Sequence, residues 1–139
     1  MEKSKLVVIV NRGFPVLNVQ ENVVKKMGYS VKTCKNSKEV KEMLEEYNAG
    51  ELRIGAFIID EGFTTESLRG NGAITSTELI GKIRDLDDTV PIRYKPREWD
   101  SKYEKMFEGK CLDFYKGKSE KLSTVDHLKE YLPKKFPLR

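Results

Sequence analysis

Residues 56–84 read "AFIIDEGFTTESLRGNGAITSTELIGKIR" and contain the most informative pattern of the chain. Four apolar residues run directly into Asp60, a loop rich in Gly and Thr follows, and an amphipathic segment closes the stretch. A short apolar run is typical of a strand that is covered on both faces, as in a parallel sheet. The stretch therefore predicts a strand, a loop and a helix that deliver one carboxylate to the carboxyl end of a buried strand.

Other strand-like segments alternate with helical patterns along the chain. The strands are predicted at residues 5–11, 29–35, 54–60, 89–94 and 110–115. Strict alternation of strands and helices predicts an α/β fold, a (βα)5 doubly wound parallel sheet with helices on both faces. The length of 139 residues predicts a single domain, 1–139.

Five apolar stripes at helical spacing predict the helices. They are Val16, Val19, Val23, Val24 and Met27; Val40, Met43, Leu44 and Tyr47; Leu79, Ile80 and Ile83; Trp99, Tyr103, Met106 and Phe107; and Val125, Leu128 and Leu132. Gly28 is predicted as a helix C-cap and Ser37 as an N-cap. Residues 75–78 read as a capping box, and Pro133 is expected to end the last helix.

Composition narrows the class of protein. Hydrophobic residues make up 38% and charged residues 35%, which is typical of a soluble globular domain. No apolar run approaches the roughly 20 residues of a membrane span, and the N-terminal run reads as a strand and not as a signal peptide. Two cysteines without metal-ligand spacing and a single histidine argue against a zinc site and favour a reduced, cytoplasmic setting. A net charge of +4 is only weak evidence for nucleic-acid binding.

Three segments carry a resemblance to a known family: "AFIID", "TELIGKIRDLDDTVPI" and "GKCLDFYKGKS". In this order and spacing, the chain resembles a response-regulator receiver domain of the CheY-like family over nearly its whole length. The resemblance implies a flavodoxin/CheY-like sheet with strand order 2-1-3-4-5, whose site forms at the carboxyl ends of the strands.

The resemblance also assigns roles to residues near that edge. The implied positions are Asp60 for the phosphoacceptor, Asn11 and Arg12 for the acidic pair, Pro96 for the Thr/Ser, Lys118 or Lys116 for the lysine, and Tyr115 for the switch aromatic. A working receiver holds Mg²⁺ with carboxylates, so that an attacking carboxylate and a phosphoryl group can approach each other.

The chain departs from this pattern at most of those positions. Asn11 and Arg12 replace the acidic pair, and Arg12 brings a positive charge where Mg²⁺ should bind. Pro96 has no hydroxyl. We therefore expect no dedicated cofactor and at most weak Mg²⁺ binding. Asp60 is either a phosphoacceptor or a retained carboxylate paired with Arg12 or a lysine.

The first hypothesis is an atypical receiver-like (pseudo-receiver) signalling module that acts through a protein partner, such as a histidine kinase, a downstream effector or a second copy of the chain. The alternatives are a phosphoryl-accepting response regulator of a two-component system and a basic nucleic-acid-binding domain. No enzyme is expected.

Two features of the sequence each have two possible interpretations. The aromatic residues on the fourth predicted helix, with Tyr94 and Tyr115 on neighbouring strands, form either a partner surface or ordinary core. The long loop 61–76 is either a partner-binding insertion or a tolerated surface insertion. His127 is expected to be solvated on a polar helix face.

Overall fold

The computed structural model describes residues 5–11, 16–60, 74–96, 99–116 and 123–137. The strands are β1 (Leu6–Val10), β2 (Ser30–Cys34), β3 (Ala56–Asp60), β4 (Ile92–Lys95) and β5 (Asp113–Phe114). The helices within these ranges are α1 (Val16–Lys26), α2 (Ser37–Asn48), α3 (Ser76–Leu86), α4 (Lys102–Met106) and α5 (Thr124–Lys135).

All four strand pairings are parallel, and the sheet order is β2-β1-β3-β4-β5. This confirms the predicted doubly wound α/β architecture. Of the three central strands, β1 and β3 are the most apolar, as expected for strands whose two faces are both covered by helices.

Successive residues of the strands alternate between two hydrophobic layers. Val8 and Val10 of β1 pack in the layer covered by α2 and α3, whereas Val7 and Ile9 pack in the layer covered by α1 and α5. All four side chains are fully buried. Because strand side chains alternate with a period of two, β1 supplies both layers of the core, and β3 does the same with Phe57 and Ile59 on one face and Ala56 and Ile58 on the other.

The first two helices match their predicted positions, with two corrections. Gly28 follows α1 with φ 101°, as a C-cap glycine does. Val19 was predicted on the buried stripe and is 42% exposed, because α1 turns Leu17 and Val24 toward the sheet instead. The N-cap of α2 is Asn36 and not Ser37: the Asn36 side chain accepts from the Glu39 N–H at 2.9 Å.

Helix α3 begins with the predicted capping box. The Thr75 hydroxyl accepts from the Glu78 N–H at 3.1 Å, and the Glu78 carboxylate accepts from the Thr75 N–H at 3.3 Å. At the other end, the Arg84 guanidinium donates to the carbonyls of Lys110 and Cys111 at 2.7 and 3.1 Å. These bonds tie α3 to the turn that leads into β5.

The C-terminal third departs most from the sequence predictions. Strand β4 begins at Ile92, after Pro91, and β5 has only two residues. Helix α4 has five residues, and Trp99 precedes it. Pro133 does not end the last helix, which continues to Lys135.

The last turn of α5 tolerates proline because burial holds it in place. Pro133 cannot donate to the carbonyl of Lys129. Leu132 and Phe136 on either side are nevertheless buried, and the Tyr29 hydroxyl donates to the Phe136 carbonyl at 2.6 Å. Among the described helices, none is both long and apolar enough to cross a bilayer.

Candidate functional site

The candidate site lies at the carboxyl edge of the sheet. Val10 of β1 is the register partner of Ile59 in β3, so Asn11 and Asp60 follow side by side. Asp60 is in turn the register partner of Lys95 in β4. Neighbouring strands lie about 4.8 Å apart, so three central strands bring an amide, a carboxylate and a lysine to adjacent positions.

Asn11 forms hydrogen bonds through both its backbone and its side chain. Its backbone N–H donates to the Cys34 carbonyl at 3.1 Å, which extends the β1–β2 pairing by one residue. Its side-chain amide donates to Gln20 Oε1 at 3.1 Å. Asn11 is only 3% exposed and Gln20 is fully buried, so a neutral pair of carboxamides occupies the place beside Asp60.

The other residues implied by the resemblance lie in different environments, and two of them are outside the described residues. Asp60 is partly exposed at the end of β3, and Pro96 is buried directly after β4. The Lys116 ammonium lies over the Trp99 ring, 4.7 Å from its centroid. Arg12 and Lys118 lie outside the described residues, as do residues 61–73 of the predicted long loop.

An aromatic cluster lies between β4, α4 and β5. The Tyr94 ring contacts Tyr103, Phe107 and Phe114, with centroid distances of 6.2, 5.2 and 6.2 Å. Trp99 contacts Phe114 at 5.3 Å and Tyr103 at 6.3 Å. Tyr94 and Phe107 are buried, whereas Trp99 and Tyr103 are partly exposed. The cluster is thus core on one side and surface on the other.

Tyr115 does not belong to this cluster; Phe114 is the β5 residue that does. Because strand side chains alternate, Tyr115 lies on the opposite face of the sheet, where it is 5% exposed. The Arg93 guanidinium lies 4.7 Å from the centroid of its ring, and the His127 ring lies at 4.8 Å.

The sequence reading missed the role of Arg93 and His127. His127 is partly buried and not solvated, and its Nδ1 accepts from Arg93 Nε at 2.8 Å. Arg93 itself is fully buried. The available signal was an arginine between apolar residues in the segment "VPIRY", since such a buried charge requires partners.

Burial and local contacts account for the perturbed pKa values of Cys34 and Tyr47. Burial raises the pKa of the Cys34 thiol to about 12, so it remains a protonated, small apolar group. Burial, and then the nearby Asp87 carboxylate, raise the pKa of Tyr47 to about 12, and Tyr47 donates to Asp87 at 3.3 Å. Within the described ranges, no group of three or more His, Cys, Asp or Glu side chains is placed to hold a metal ion.

No family model and no curated protein matches the chain. Solved structures do match in fold. The Vibrio cholerae chemotaxis protein CheY4 is 15% identical, with a TM-score of 0.69 over 96% of this chain and 99% of that chain. A CheY-like response regulator receiver domain protein from Methanospirillum hungatei is 16% identical, with a TM-score of 0.70 over 96% and 94%.

The receiver domain of the hybrid histidine kinase CckA is 19% identical, with a TM-score of 0.62 over 94% of this chain and 97% of that chain. The chain therefore has the fold of CheY-like receiver domains. Identities this low show the fold alone, since one fold hosts many functions.

Proposed function

We propose that the chain is an atypical receiver-like signalling module that acts through protein–protein interaction and has a degraded phosphoacceptor site. The observation that carries the proposal is the buried Asn11–Gln20 pair beside Asp60. A neutral amide, committed to a hydrogen bond inside the domain, stands where the resemblance implies a carboxylate.

This substitution weakens the chemistry of phosphoryl transfer. A carboxylate that attacks a phosphoryl group needs nearby positive charge, which a receiver obtains from Mg²⁺. Mg²⁺ prefers carboxylates and water as ligands, and the described edge offers one carboxylate, Asp60, and one amide oxygen, that of Asn11. This donor set does not fit Mg²⁺ well, and Arg12 next in sequence adds a repelling charge. Mg²⁺ binding is therefore expected to be at least about tenfold weaker than with an acidic pair.

The path from the acceptor to the aromatic cluster is also altered. Pro96 offers no hydroxyl that could move toward a phosphoryl group. Tyr115 is already buried and is held between Arg93 and His127, on the face of the sheet away from the cluster. A ligand shifts a conformational equilibrium only through contacts that differ between the two states. The surface around α4 therefore has one state, and partner binding is constitutive.

The aromatic cluster is the surface we assign to a protein partner. Trp99 and Tyr103 are partly exposed, and the neighbouring Met106 is 52% exposed. Aromatic residues and methionine are enriched in protein interfaces, where they supply large contact areas. A histidine kinase, a downstream effector or a second copy of the chain would use this surface.

A second candidate function is a phosphoryl-accepting response regulator of a two-component system. The observation that favours it is the position of Asp60, partly exposed at the tip of the buried strand β3. Lys95 in the next strand is its register partner and would supply a positive charge to a phosphoryl group.

Acetyl phosphate distinguishes the two functions. The full chain is incubated with acetyl phosphate and Mg²⁺, and the intact mass is measured for the wild type, for Asp60→Asn and for Asn11→Asp. The proposal predicts no phosphoryl adduct on the wild type, and more adduct on Asn11→Asp because one carboxylate is restored. A stoichiometric adduct on the wild type that is lost in Asp60→Asn would establish the second function instead.

A further inference from the structure

Strand β2 lies at one edge of the sheet and, among the described strands, pairs only with β1. The Ser30 N–H donates to the Lys5 carbonyl at 3.0 Å. At the other end of the strand, the Asn11 N–H donates to the Cys34 carbonyl at 3.1 Å. In a parallel pair, every second residue directs both its N–H and its C=O group to the same neighbour. The residues at the even positions of β2 therefore face β1.

The intervening residues, Val31 and Thr33, direct their backbone groups to the outer side of β2. Within the part of the chain that the structure describes, no hydrogen bond reaches these outward groups. Both residues are only partly buried. A row of unpaired backbone groups at a sheet edge is a template on which another strand can form. The outer edge of β2 is thus chemically equipped to pair with a further strand.

A groove of about 470 Å³ lies between this edge and α2. It is lined by Lys32, Thr33, Cys34, Glu39, Glu42, Glu45 and Glu46. Four carboxylates and one ammonium group therefore line the groove, although the chain as a whole has a net charge of +4. The edge of β2 carries a local charge that is opposite in sign to that of the whole domain.

Most of the negative charge in the groove is open to a partner. Lys32, the cation of the groove, pairs with Glu46 at 3.7 Å. Glu42 and Glu45 are exposed, and neither forms a salt bridge with another described residue. A lysine on an edge strand usually opposes pairing with other chains, but here its charge is offset by Glu46. The groove therefore attracts cations.

We propose that the outer edge of β2 binds an extended, basic segment of a partner protein as an added strand. The backbone groups of Val31 and Thr33 pair with this segment, as in other cases of strand addition. Because strand side chains alternate, every second side chain of the segment lies over the groove, where lysine or arginine meets Glu42 and Glu45. A second copy of the chain would bring the same glutamates, and nucleic acid would bring phosphates, so both are repelled.

This surface is separate from the one around α4, and the proposal does not depend on the function proposed above. A basic peptide of alternating residues, acetyl-Lys-Val-Lys-Val-Lys-Val-Lys-amide, is the probe for an amide NMR titration of the full chain. The amide protons of Val31 and Thr33 should shift downfield and exchange more slowly with solvent, because they become hydrogen-bond donors. A peptide with glutamate in place of each lysine should bind at least about tenfold more weakly.

A third peptide, with proline in place of each valine, keeps the positive charge but cannot form the strand pairing. It should leave the Val31 and Thr33 amide protons unchanged. Identical responses of these two amides to both basic peptides would overturn the proposal, because charge alone would then explain binding. Absence of a response to the lysine–valine peptide at about 1 mM would overturn it as well.

Variants of the chain separate the two parts of the surface. Thr33→Pro removes an outward N–H without touching the pairing with β1, and should weaken binding of the lysine–valine peptide at least about threefold. Glu42→Lys should also weaken binding at least about threefold. The matched control is Glu130→Lys on α5, an exposed site with the same change in charge, which should alter the affinity less than about twofold.

Equal effects of Glu42→Lys and Glu130→Lys would show that only the net charge matters and would overturn the proposal. Wild-type affinity in a folded Thr33→Pro variant, with folding checked by circular dichroism, would overturn it too. If Thr33→Pro does not fold, the Val31 and Thr33 amide protons of the wild type decide the question.

Discussion

Replacing Gly55 by alanine should disrupt the packing of Phe136, near the C-terminus, and leave the rest of the fold intact. Gly55 lies directly before β3, and its N–H donates to the Leu6 carbonyl at 2.8 Å. A Cβ at this position would overlap the ring of Phe136, which follows α5 and packs against the sheet edge there. The Gly55→Ala variant can fold only if this ring leaves its place.

The expected loss in the free energy of unfolding follows from the burial and the ring contact that Phe136 would lose. Its side chain is 8% exposed, and its ring lies 5.4 Å from that of Tyr29. Burial of a phenylalanine is worth about 1.5–3 kcal/mol, and an aromatic pair about 0.5–1.5 kcal/mol. Alanine returns about 0.4–1 kcal/mol by restricting the unfolded chain. We therefore expect Gly55→Ala to lower the free energy of unfolding by about 1–4 kcal/mol.

Urea unfolding followed by circular dichroism measures this loss, and Gly81→Ala is the matched control. A Cβ at Gly81 in α3 meets no atom within 4 Å, so alanine there should stabilise the domain by about 0.5–1 kcal/mol through helix propensity. In a Phe136→Ala background, Gly55→Ala should cost nothing further, because the clashing ring is gone. A loss below about 0.5 kcal/mol in the wild-type background, or an equal loss in both backgrounds, would show that the Phe136 ring does not limit this position.

Three further predictions test local features of the fold. Thr75→Ala removes the hydroxyl that caps α3 and should lower the free energy of unfolding by about 1 kcal/mol; no change in urea unfolding would contradict the cap. Burial alone would raise the pKa of Asp87, but hydrogen bonds from Thr89 and Val90 outweigh burial and lower this pKa. The ionised Asp87 carboxylate therefore stabilises the folded state above its ordinary pKa of about 3.9, and this contribution is lost as the pH falls through the lowered pKa. Asp87→Asn should therefore flatten the acid limb of the stability profile, and an unchanged limb would count against these bonds. Iodoacetamide should modify the exposed Cys111 and spare the buried Cys34 in the folded chain, as read by peptide mass; equal labelling would show that Cys34 is not in the core.

The sheet and the first three helices follow from local patterns in the sequence. Strands β1 and β3 are continuous apolar runs, and Thr75 with Glu78 forms a capping box that marks the start of a helix. These elements can therefore be predicted without knowledge of tertiary contacts. The errors here are small. Val19 looked buried because valines recur at helical spacing, yet the orientation of α1 is set by Leu17 and Val24.

The C-terminal third was less predictable because tertiary contacts decide it. Pro133 normally ends a helix, and only the burial of Leu132 and Phe136 keeps the last turn of α5 intact. Trp99 was placed on a helix although it packs from the segment before α4.

The residues of the candidate site were also only partly predictable from the sequence. Asp60 and Asn11 could be located from the strand ends, because parallel strands end at one edge of the sheet. The partners of these edge residues could not be located. Gln20 is one polar residue in α1, and nothing in its local sequence shows that it reaches Asn11. Likewise, no local pattern joins Arg93 to His127, which lie 34 residues apart.

The proposed function requires that the acceptor edge is uncoupled from the surface around α4. The most direct test compares amide NMR shifts of residues 94–96 and 99–115 with and without beryllofluoride and Mg²⁺, in the wild type and in Asp60→Asn. We expect that beryllofluoride and Mg²⁺ leave the shifts in this region, including those of Tyr94, Tyr103 and Phe107, unchanged in both proteins. Large shifts at these residues in the wild type that disappear in Asp60→Asn would show a working phosphoryl switch and would contradict this uncoupling.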